Sequence, residues 1–258
     1  MKKPLTCYDK SHDAKTITSM KYLTTSLFLI VILTSSCDNT TAGEKLLNKA
    51  ISYHDPQNNW NTFNGSFTVT METPNQSTRI SDITINLPED IFELTATRDS
   101  ITTKYFLSKN TCVFSFNGDK NVSDSIAKAY NLSCDRGKMY KNYYSYLYGL
   151  PMKLKDPGTI IDDAVATKNF KGKDYLVLKA TYNKEVGTDI WYFYFDPKTY
   201  AMEIYQFFKQ DENGNQKDDT GEYILLTGKE TINGIKMPKT RAWYYNKDDK
   251  YLGTDILN

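Results

Sequence analysis

Strand-like segments follow one another along most of this chain, and that pattern constrains its fold more than any other feature. Apolar and polar residues alternate over residues 67–71, 80–87 and 101–107, as they do in half-buried strands. Further strand patterns occupy residues 175–256 with no helical pattern of useful length between them. Parallel strands need long crossover connections, so consecutive strands without them pair antiparallel. The sequence therefore predicts a mainly β fold built on a largely antiparallel sheet.

One of these segments, IWYFYF at residues 190–195, carries large apolar or aromatic side chains at successive positions. A strand with such residues on both faces is covered on both sides. One side can pack against neighbouring structure while the other packs a helix or a ligand. The alternative is that both sides are ordinary core. Under the first interpretation, Trp191 is a candidate ligand-binding residue.

Two regions replace the strand pattern with helical spacing. Residues 44–54 predict an N-terminal helix that Pro56 ends, and residues 123–150 predict a helical insertion. The insertion contains a short helix at 123–130 and a second helix at 138–148. We expect the second helix to lie across an opening of the sheet and to gate an apolar cavity; otherwise its bulky face is core. That face carries Tyr140, Tyr143, Tyr144, Leu147 and Tyr148.

The first part of the chain has the pattern of a bacterial secretion signal. An apolar run at residues 27–33 follows Lys21 and is too short to span a bilayer. It leads into LTSSC at residues 33–37, which resembles a lipobox, where Cys37 is acylated and the chain is cleaved before it. The alternative is an ordinary secretory signal followed by a chance cysteine. The predicted organisation is a signal segment over residues 1–36, a lipidated tether over 37–43 and a single domain over 44–258. Within the signal segment, we expect translation to start at Met20 rather than at Met1.

These features predict a lipoprotein of the bacterial cell envelope that faces the periplasm or the cell surface. We expect the outer membrane rather than the inner one. Acyl chains such as palmitate contribute about 0.8 kcal/mol of membrane affinity per buried methylene, and two chains hold a protein stably. The membrane, contacted through the anchor on Cys37, is thus the first predicted partner.

The remaining cysteines and the overall charge narrow the function classes. Cys112 and Cys134 follow Cys37, and an even pair in an exported domain predicts a disulfide, with two buried free thiols as the alternative. The 32 Lys and Arg against 31 Asp and Glu give a formal net charge of +1. A nucleic-acid-binding protein would show a basic excess, so we expect no nucleic-acid partner.

Recognisable catalytic and metal-binding patterns are absent from the sequence. His54 is the only histidine after residue 36, which excludes a site of several His ligands. There is no G-x-S-x-G elbow, phosphate loop or dinucleotide fingerprint. The acidic run at 211–222 resembles a calcium loop, but Gln216 stands where such a loop needs glycine. We therefore expect a structural His54, no metal, no cofactor and no enzymatic activity.

Three short stretches carry a resemblance to known families: YHDP at residues 53–56, YLYGLPMKLKDPG at 146–158 and GIKMP at 234–238. With a lipid anchor, an N-terminal helix, hairpins such as FDPKTY and a helical insertion, the chain resembles a group of uncharacterised bacterial lipoproteins. It is also similar to the lipoprotein-localisation (LolA/LolB-like) superfamily, over about residues 44–255. This resemblance implies a curved antiparallel sheet, or unclosed β-barrel, with helices on its concave side and an apolar cavity for acyl chains.

The sequence thus predicts a monomeric protein that binds an apolar or amphiphilic molecule, such as a lipid or a lipoprotein acyl chain, without catalysis. The candidate ligand-binding residues are the helix face named above and Trp191. One alternative is a structural or accessory envelope lipoprotein whose aromatic faces are only core. A third interpretation is a hydrolase.

Replacing the proposed acylation site gives a direct test of the anchor. We expect Cys37→Ser to move the protein from the membrane fraction to the soluble fraction, or to leave an uncleaved precursor, because no thiol remains to acylate. Fractionation and immunoblotting measure both. Normal processing with an unchanged membrane fraction would contradict the prediction.

Overall fold

The computed structural model describes residues 40–258; the predicted signal and Cys37 lie outside the described residues. Thr41–Asn258 form one compact unit. None of the helices in the described part is long and apolar enough to span a membrane.

Three α-helices occur in this part of the chain: α1 (Ala42–His54), α2 (Asp124–Ala129) and α3 (Cys134–Gly149). Helix α1 begins earlier than the sequence predicts because Thr41 caps it. The Thr41 hydroxyl accepts the Glu44 N–H, and the Glu44 carboxylate accepts the Thr41 N–H in return. Helix α3 also begins early, because the Ser133 hydroxyl accepts the Arg136 N–H.

The same residues contain short strands joined mainly by tight turns. The strands are β1 (Asn64–Thr73), β2 (Gln76–Asn86), β3 (Ile91–Arg98), β4 (Ile101–Ser108), β5 (Thr111–Phe116), β6 (Thr159–Ile161), β7 (Ala166–Phe170), β8 (Lys173–Tyr182), β9 (Ile190–Phe195), β10 (Met202–Phe208), β11 (Glu222–Thr227), β12 (Glu230–Ile232), β13 (Ile235–Met237), β14 (Thr240–Tyr245) and β15 (Tyr251–Leu257).

All of these strands except β12 and β13 form one curved antiparallel sheet in the order β5-β4-β3-β2-β1-β15-β14-β11-β10-β9-β8-β6, with β7 also paired to β8. The chain meanders outward from β1 to β5, passes through the helical insertion, and returns from the opposite edge. Strand β15 then joins the two halves, pairing Leu257 with Val69 of β1. Strands β5 and β6 do not pair with each other. The expectation of an unclosed, mainly antiparallel sheet is therefore confirmed.

Strand β9 is covered on both faces, as its sequence predicts. Phe193 and Phe195 belong to the main core on the concave side of the sheet. On the convex side, Tyr194 joins a smaller apolar cluster, where Phe170 of β7 packs against it with ring centroids 5.5 Å apart. The end of β7, where the chain turns into β8, therefore lies against the convex face of the sheet.

A disulfide between Cys112 and Cys134 ties the helical insertion to the edge of the sheet, confirming the predicted pairing. The first residue of α3 is thereby joined to β5, with the two Cα atoms 5.9 Å apart. One turn further along α3, Gly137 lies so close to the sheet that a Cβ there would be 2.9 Å from the Tyr105 ring. The N-terminal part of α3 is therefore held directly against β4 and β5.

His54 is a buried structural residue, 3% exposed, at the C-terminus of α1. Its Nε2 accepts the Met202 N–H at 2.9 Å, which places the ring proton on Nδ1, and Nδ1 donates to the Lys236 carbonyl at 2.7 Å. A helix C-terminus favours the charged imidazolium. Burial outweighs that effect and lowers the pKa of His54 from 6.5 to about 4.

This histidine predicts a loss of stability on acidification. Between pH 6.5 and 4 the unfolded chain binds a proton at His54 that the folded chain does not, so the free energy of unfolding decreases as the pH falls. The full effect is about 3 kcal/mol. Asp255 has a raised pKa and contributes with the opposite sign, so we compare the protein with His54→Gln by urea unfolding at several pH values. The curve of the variant should be flatter across this window; parallel curves would contradict the prediction.

Candidate functional site

Helix α3 crosses the concave face from β5 toward β14 and buries the middle of its aromatic face. The Tyr144 ring packs against Phe92 at 6.4 Å, and the Tyr148 ring stacks on Phe67 at 4.7 Å. Tyr144, Leu147 and Tyr148 are 1%, 4% and 1% exposed. These three candidate residues lie in the core, so a ligand-binding role for them stays a prediction and requires α3 to move.

The other candidate residues on α3 are half-buried. The guanidinium of Arg136 lies 4.8 Å from the centre of the Tyr140 ring. Tyr143 stacks beside Trp243 with ring centroids 6.3 Å apart, and its hydroxyl donates to the Asp255 carboxylate at 3.2 Å. Burial raises the pKa of Tyr143 well above 10. Of the two, Tyr143 is the one that faces the open part of the concave surface.

A continuous row of aromatic side chains runs over that open part, between α3 and the strands β9, β10 and β14. Its ring centroids are 6.3 Å apart from Tyr143 to Trp243, 6.2 Å from Trp243 to Tyr205 and 6.1 Å from Tyr205 to Trp191. The centroid of the Trp191 ring also lies 5.7 Å from that of Tyr146 on α3 and 4.9 Å from that of Phe207 on β10. We call this surface the aromatic groove; it consists of Tyr143, Tyr146, Trp191, Tyr205, Phe207 and Trp243.

Strand pairing explains why these residues meet. Trp191 pairs with Phe207 across β9 and β10, while Trp243 and Tyr205 both pair with Ile224 of β11. Paired residues on adjacent strands project from the same face. All members of the groove except Tyr205 are half-buried, so the row forms a surface rather than a closed core.

A cavity of about 520 Å³ opens at the Trp191 end of the groove; we call it the large cavity. Its walls come from α3, the turn after it, β6 and the β8–β9 hairpin. Tyr146 and Tyr182 line it and hydrogen-bond to each other through their hydroxyls. The charged residues of its wall are Lys153, Asp156, Glu185 and Asp189.

A second cavity of about 210 Å³ lies at the Trp243 end; we call it the small cavity. Tyr143 and Trp243 supply aromatic surface to it, and Glu222 and Asp255 supply its charged groups. Burial raises the pKa of both carboxyls. At Asp255 the nearby Arg241 guanidinium acts in the opposite direction.

Behind the small cavity, a buried arginine connects the sheet to the end of α3. Arg241 is 1% exposed, and its guanidinium lies 3.8 Å from the centre of the Tyr148 ring. It donates to the carbonyls of Pro238 at 3.2 Å and Leu147 at 3.4 Å. Asp255 is the strand partner of Arg241 across β14 and β15, and the Arg241 charge opposes the effect of burial on the pKa of that carboxyl. Through its bonds to Pro238 and Leu147 and its contact with Tyr148, Arg241 connects β14 to the end of α3.

Sequence reasoning identified Tyr143 and Trp191 but missed most of the groove. Tyr146 lies on a different face of the predicted helix, and Phe207, Glu222, Trp243 and Asp255 are far apart in the chain. Alternation identifies which residues of one strand share a face, but it does not show which strands are neighbours. Among residues 40–258 no group of three or more His, Cys, Asp or Glu is arranged to hold a metal ion.

Replacing Tyr144 tests how firmly α3 is packed. We expect Tyr144→Ala to lower the free energy of unfolding by about 3 kcal/mol or more, because it removes a buried ring and leaves a cavity. The exposed Asn142 on the same helix is the control, and Asn142→Ala should change stability by less than about 0.5 kcal/mol. Urea unfolding measures both, and equal small effects would show that α3 is loosely held.

Comparisons with solved structures find proteins of similar architecture at very low identity. They include the LolA superfamily protein NE2245 from Nitrosomonas europaea, with 9% identity, a TM-score of 0.45, and 84% of this chain and 91% of that chain covered. A DUF1329 family protein from Desulfovibrio piger has 10% identity, a TM-score of 0.46, and 85% and 92% covered. The Pseudomonas aeruginosa MucA/MucB complex has 9% identity, a TM-score of 0.24, and 83% and 92% covered.

Comparison at the level of sequence gives a family without an assigned activity. No curated protein sequence matches the chain. A family model described as a family of unknown function, DUF6503, matches residues 23–257, which is most of the sequence. The chain therefore belongs to the family of unknown function DUF6503.

Proposed function

We propose that this protein binds an apolar or amphiphilic molecule, without catalysis, in the aromatic groove. One observation carries the proposal: a continuous row of aromatic rings, all half-buried except the fully buried Tyr205, connects two cavities on the concave face. Ligand sites are mostly apolar surfaces with a few polar groups that orient the ligand. The groove has this composition, with hydroxyls and carboxyls concentrated at its two ends.

The size of the groove supports a small-molecule ligand rather than a protein surface. The large cavity, at about 520 Å³, falls within the range of roughly 300–1,000 Å³ that is usual for small-molecule sites. Tryptophan and tyrosine suit a partly wet site, because their rings are apolar and their N–H or O–H groups can retain water partners. A chain-like apolar molecule could lie along the groove with its polar end in one of the cavities.

We further propose that the protein works as a monomer anchored through Cys37 in the cell envelope, in the outer membrane. The apolar run and the LTSSC segment support the anchor at Cys37. Membrane-derived amphiphiles, such as a lipid or the acyl chain of a lipoprotein, are then the ligands at hand. The anchor and the groove can be tested separately, because Cys37 lies outside the domain that forms the groove.

The tight packing beneath α3 favours a second candidate function. Tyr144, Leu147 and Tyr148 fill the concave face over the β1–β5 half. A structural or accessory envelope protein would need only this filled core, and the groove would then be a shallow surface feature. Ligand uptake by the open half distinguishes the two candidates.

Removing tryptophans from the groove tests the proposed function. We expect Trp191→Ala and Trp243→Ala each to weaken uptake of the neutral apolar probe N-phenyl-1-naphthylamine by about tenfold, since each removes a large apolar contact. The measurement is a titration of probe fluorescence.

Adjacent residues of the same strands supply matched controls. Tyr192 and Tyr244 are also half-buried aromatic residues, but alternation places them on the convex face. Tyr192→Ala and Tyr244→Ala should change uptake less than about twofold. If the wild-type protein takes up no probe, or if all four variants weaken uptake equally, the groove is not a binding site and the accessory role is favoured.

A further inference from the structure

We propose that the small cavity receives a positively charged head group, an amine or quaternary ammonium, of the amphiphile that lies in the groove. This inference rests on the proposed function and specifies the class of ligand. At about 210 Å³, the cavity is smaller than sites that enclose a whole ligand. It therefore suits one end of a molecule whose apolar part extends along the aromatic groove.

Glu222 is the central residue of this proposal. It begins β11, is half-buried, and lines the small cavity. Among residues 40–258 it has no hydrogen-bond or ion-pair partner for its carboxylate. Burial raises the pKa of Glu222 and the charge of Lys209 opposes that rise, but the Lys209 ammonium contacts Asp189 at 2.8 Å. A partly desolvated carboxylate without a partner is unfavourable, and a cation in the cavity would supply the partner.

Asp255, the other acid of the cavity, is already compensated. It accepts a hydrogen bond from Tyr143 and lies near the Arg241 guanidinium. Arg241 in turn is directed away from the cavity, because it donates to the carbonyls of Pro238 and Leu147 and lies over Tyr148. Its charge therefore offsets that of Asp255 and leaves Glu222 unneutralised.

Aromatic surface next to an acid is suited to a cation. Trp243 and Tyr143 line the cavity beside Glu222, and the faces of such rings attract ammonium groups, most strongly those of tryptophan. None of the described residues that line the small cavity is a lysine or arginine. An anionic head group in the same place would be repelled by the carboxylates, and no cationic side chain of the cavity wall would offset that repulsion.

The charge of the whole site has the same sign. The described walls of the two cavities contain five acids and one lysine, Lys153. Even with Lys153 hydrogen-bonded to Asp156 and Lys209 paired to Asp189, negative charge predominates. Such a cleft attracts cations and rejects anions. The acids are Asp156, Glu185, Asp189, Glu222 and Asp255.

Three amphiphiles with the same C12 tail test the inference: dodecyltrimethylammonium, dodecyl sulfate and dodecyl maltoside. The measurement is the displacement of N-phenyl-1-naphthylamine from the protein, with each amphiphile kept below its own critical micelle concentration. We expect the ammonium compound to bind about tenfold more tightly than the sulfate. Glu222→Gln, which keeps the shape, should remove most of that preference, and Glu222→Lys should reverse it. Binding of the maltoside should be unchanged in Glu222→Gln.

Glu72→Gln is the matched control, since it changes the net charge equally. Glu72 is exposed on β1 next to Met71, which lines the small cavity and is the strand partner of Asp255; alternation therefore directs the Glu72 side chain to the opposite face. It should alter the preference less than twofold. Equal or tighter binding of the sulfate, or an unchanged preference in Glu222→Gln, would overturn the cationic head-group inference and leave the proposed binding function standing. Absence of binding by the probe and all three amphiphiles would overturn the proposed function as well.

Discussion

The packing of helix α3 on the concave face is the interaction on which the rest of the structure depends. An unclosed sheet leaves an apolar face that must be covered by another element. Helix α3 covers it by placing Tyr144 and Tyr148 against Phe92 and Phe67, and the Cys112–Cys134 disulfide joins its first residue to the edge strand. The sheet and the insertion therefore form one structure, and neither has a complete core alone.

The aromatic groove follows from the limited reach of that helix. Helix α3 packs mainly against β3, β4 and β5, while α1 packs against β8 and β13. Between the two helices, part of the concave face retains aromatic residues that neither helix covers completely. Trp191, Phe207 and Trp243 are thus half-buried although they share a face with fully buried Phe193 and Tyr205. The groove is the part of the sheet that the available helices leave open.

Charge is distributed unequally between the core and the groove. The buried Arg241 donates to two carbonyls, and its charge lies close enough to Asp255 to oppose the effect of burial on the pKa of that carboxyl. Glu222, on the wall of the groove, has no such partner. The first arrangement stabilises the junction between α3 and β14, whereas the second leaves a charge available to a ligand. The two carboxylates line the same cavity but differ in their compensation.

The sequence by itself determined the antiparallel sheet, the helical regions, the double-sided burial of β9 and the pairing of Cys112 with Cys134. These depend on local periodicity, turn residues and cysteine count. Only the tertiary structure decided that Tyr144, Leu147 and Tyr148 are core, and that Tyr146, Phe207, Glu222 and Trp243 lie together around a groove. Helical spacing shows that residues share a face, but not what that face meets. The neighbours are set by strand order and register between segments far apart in the chain, which no local pattern encodes.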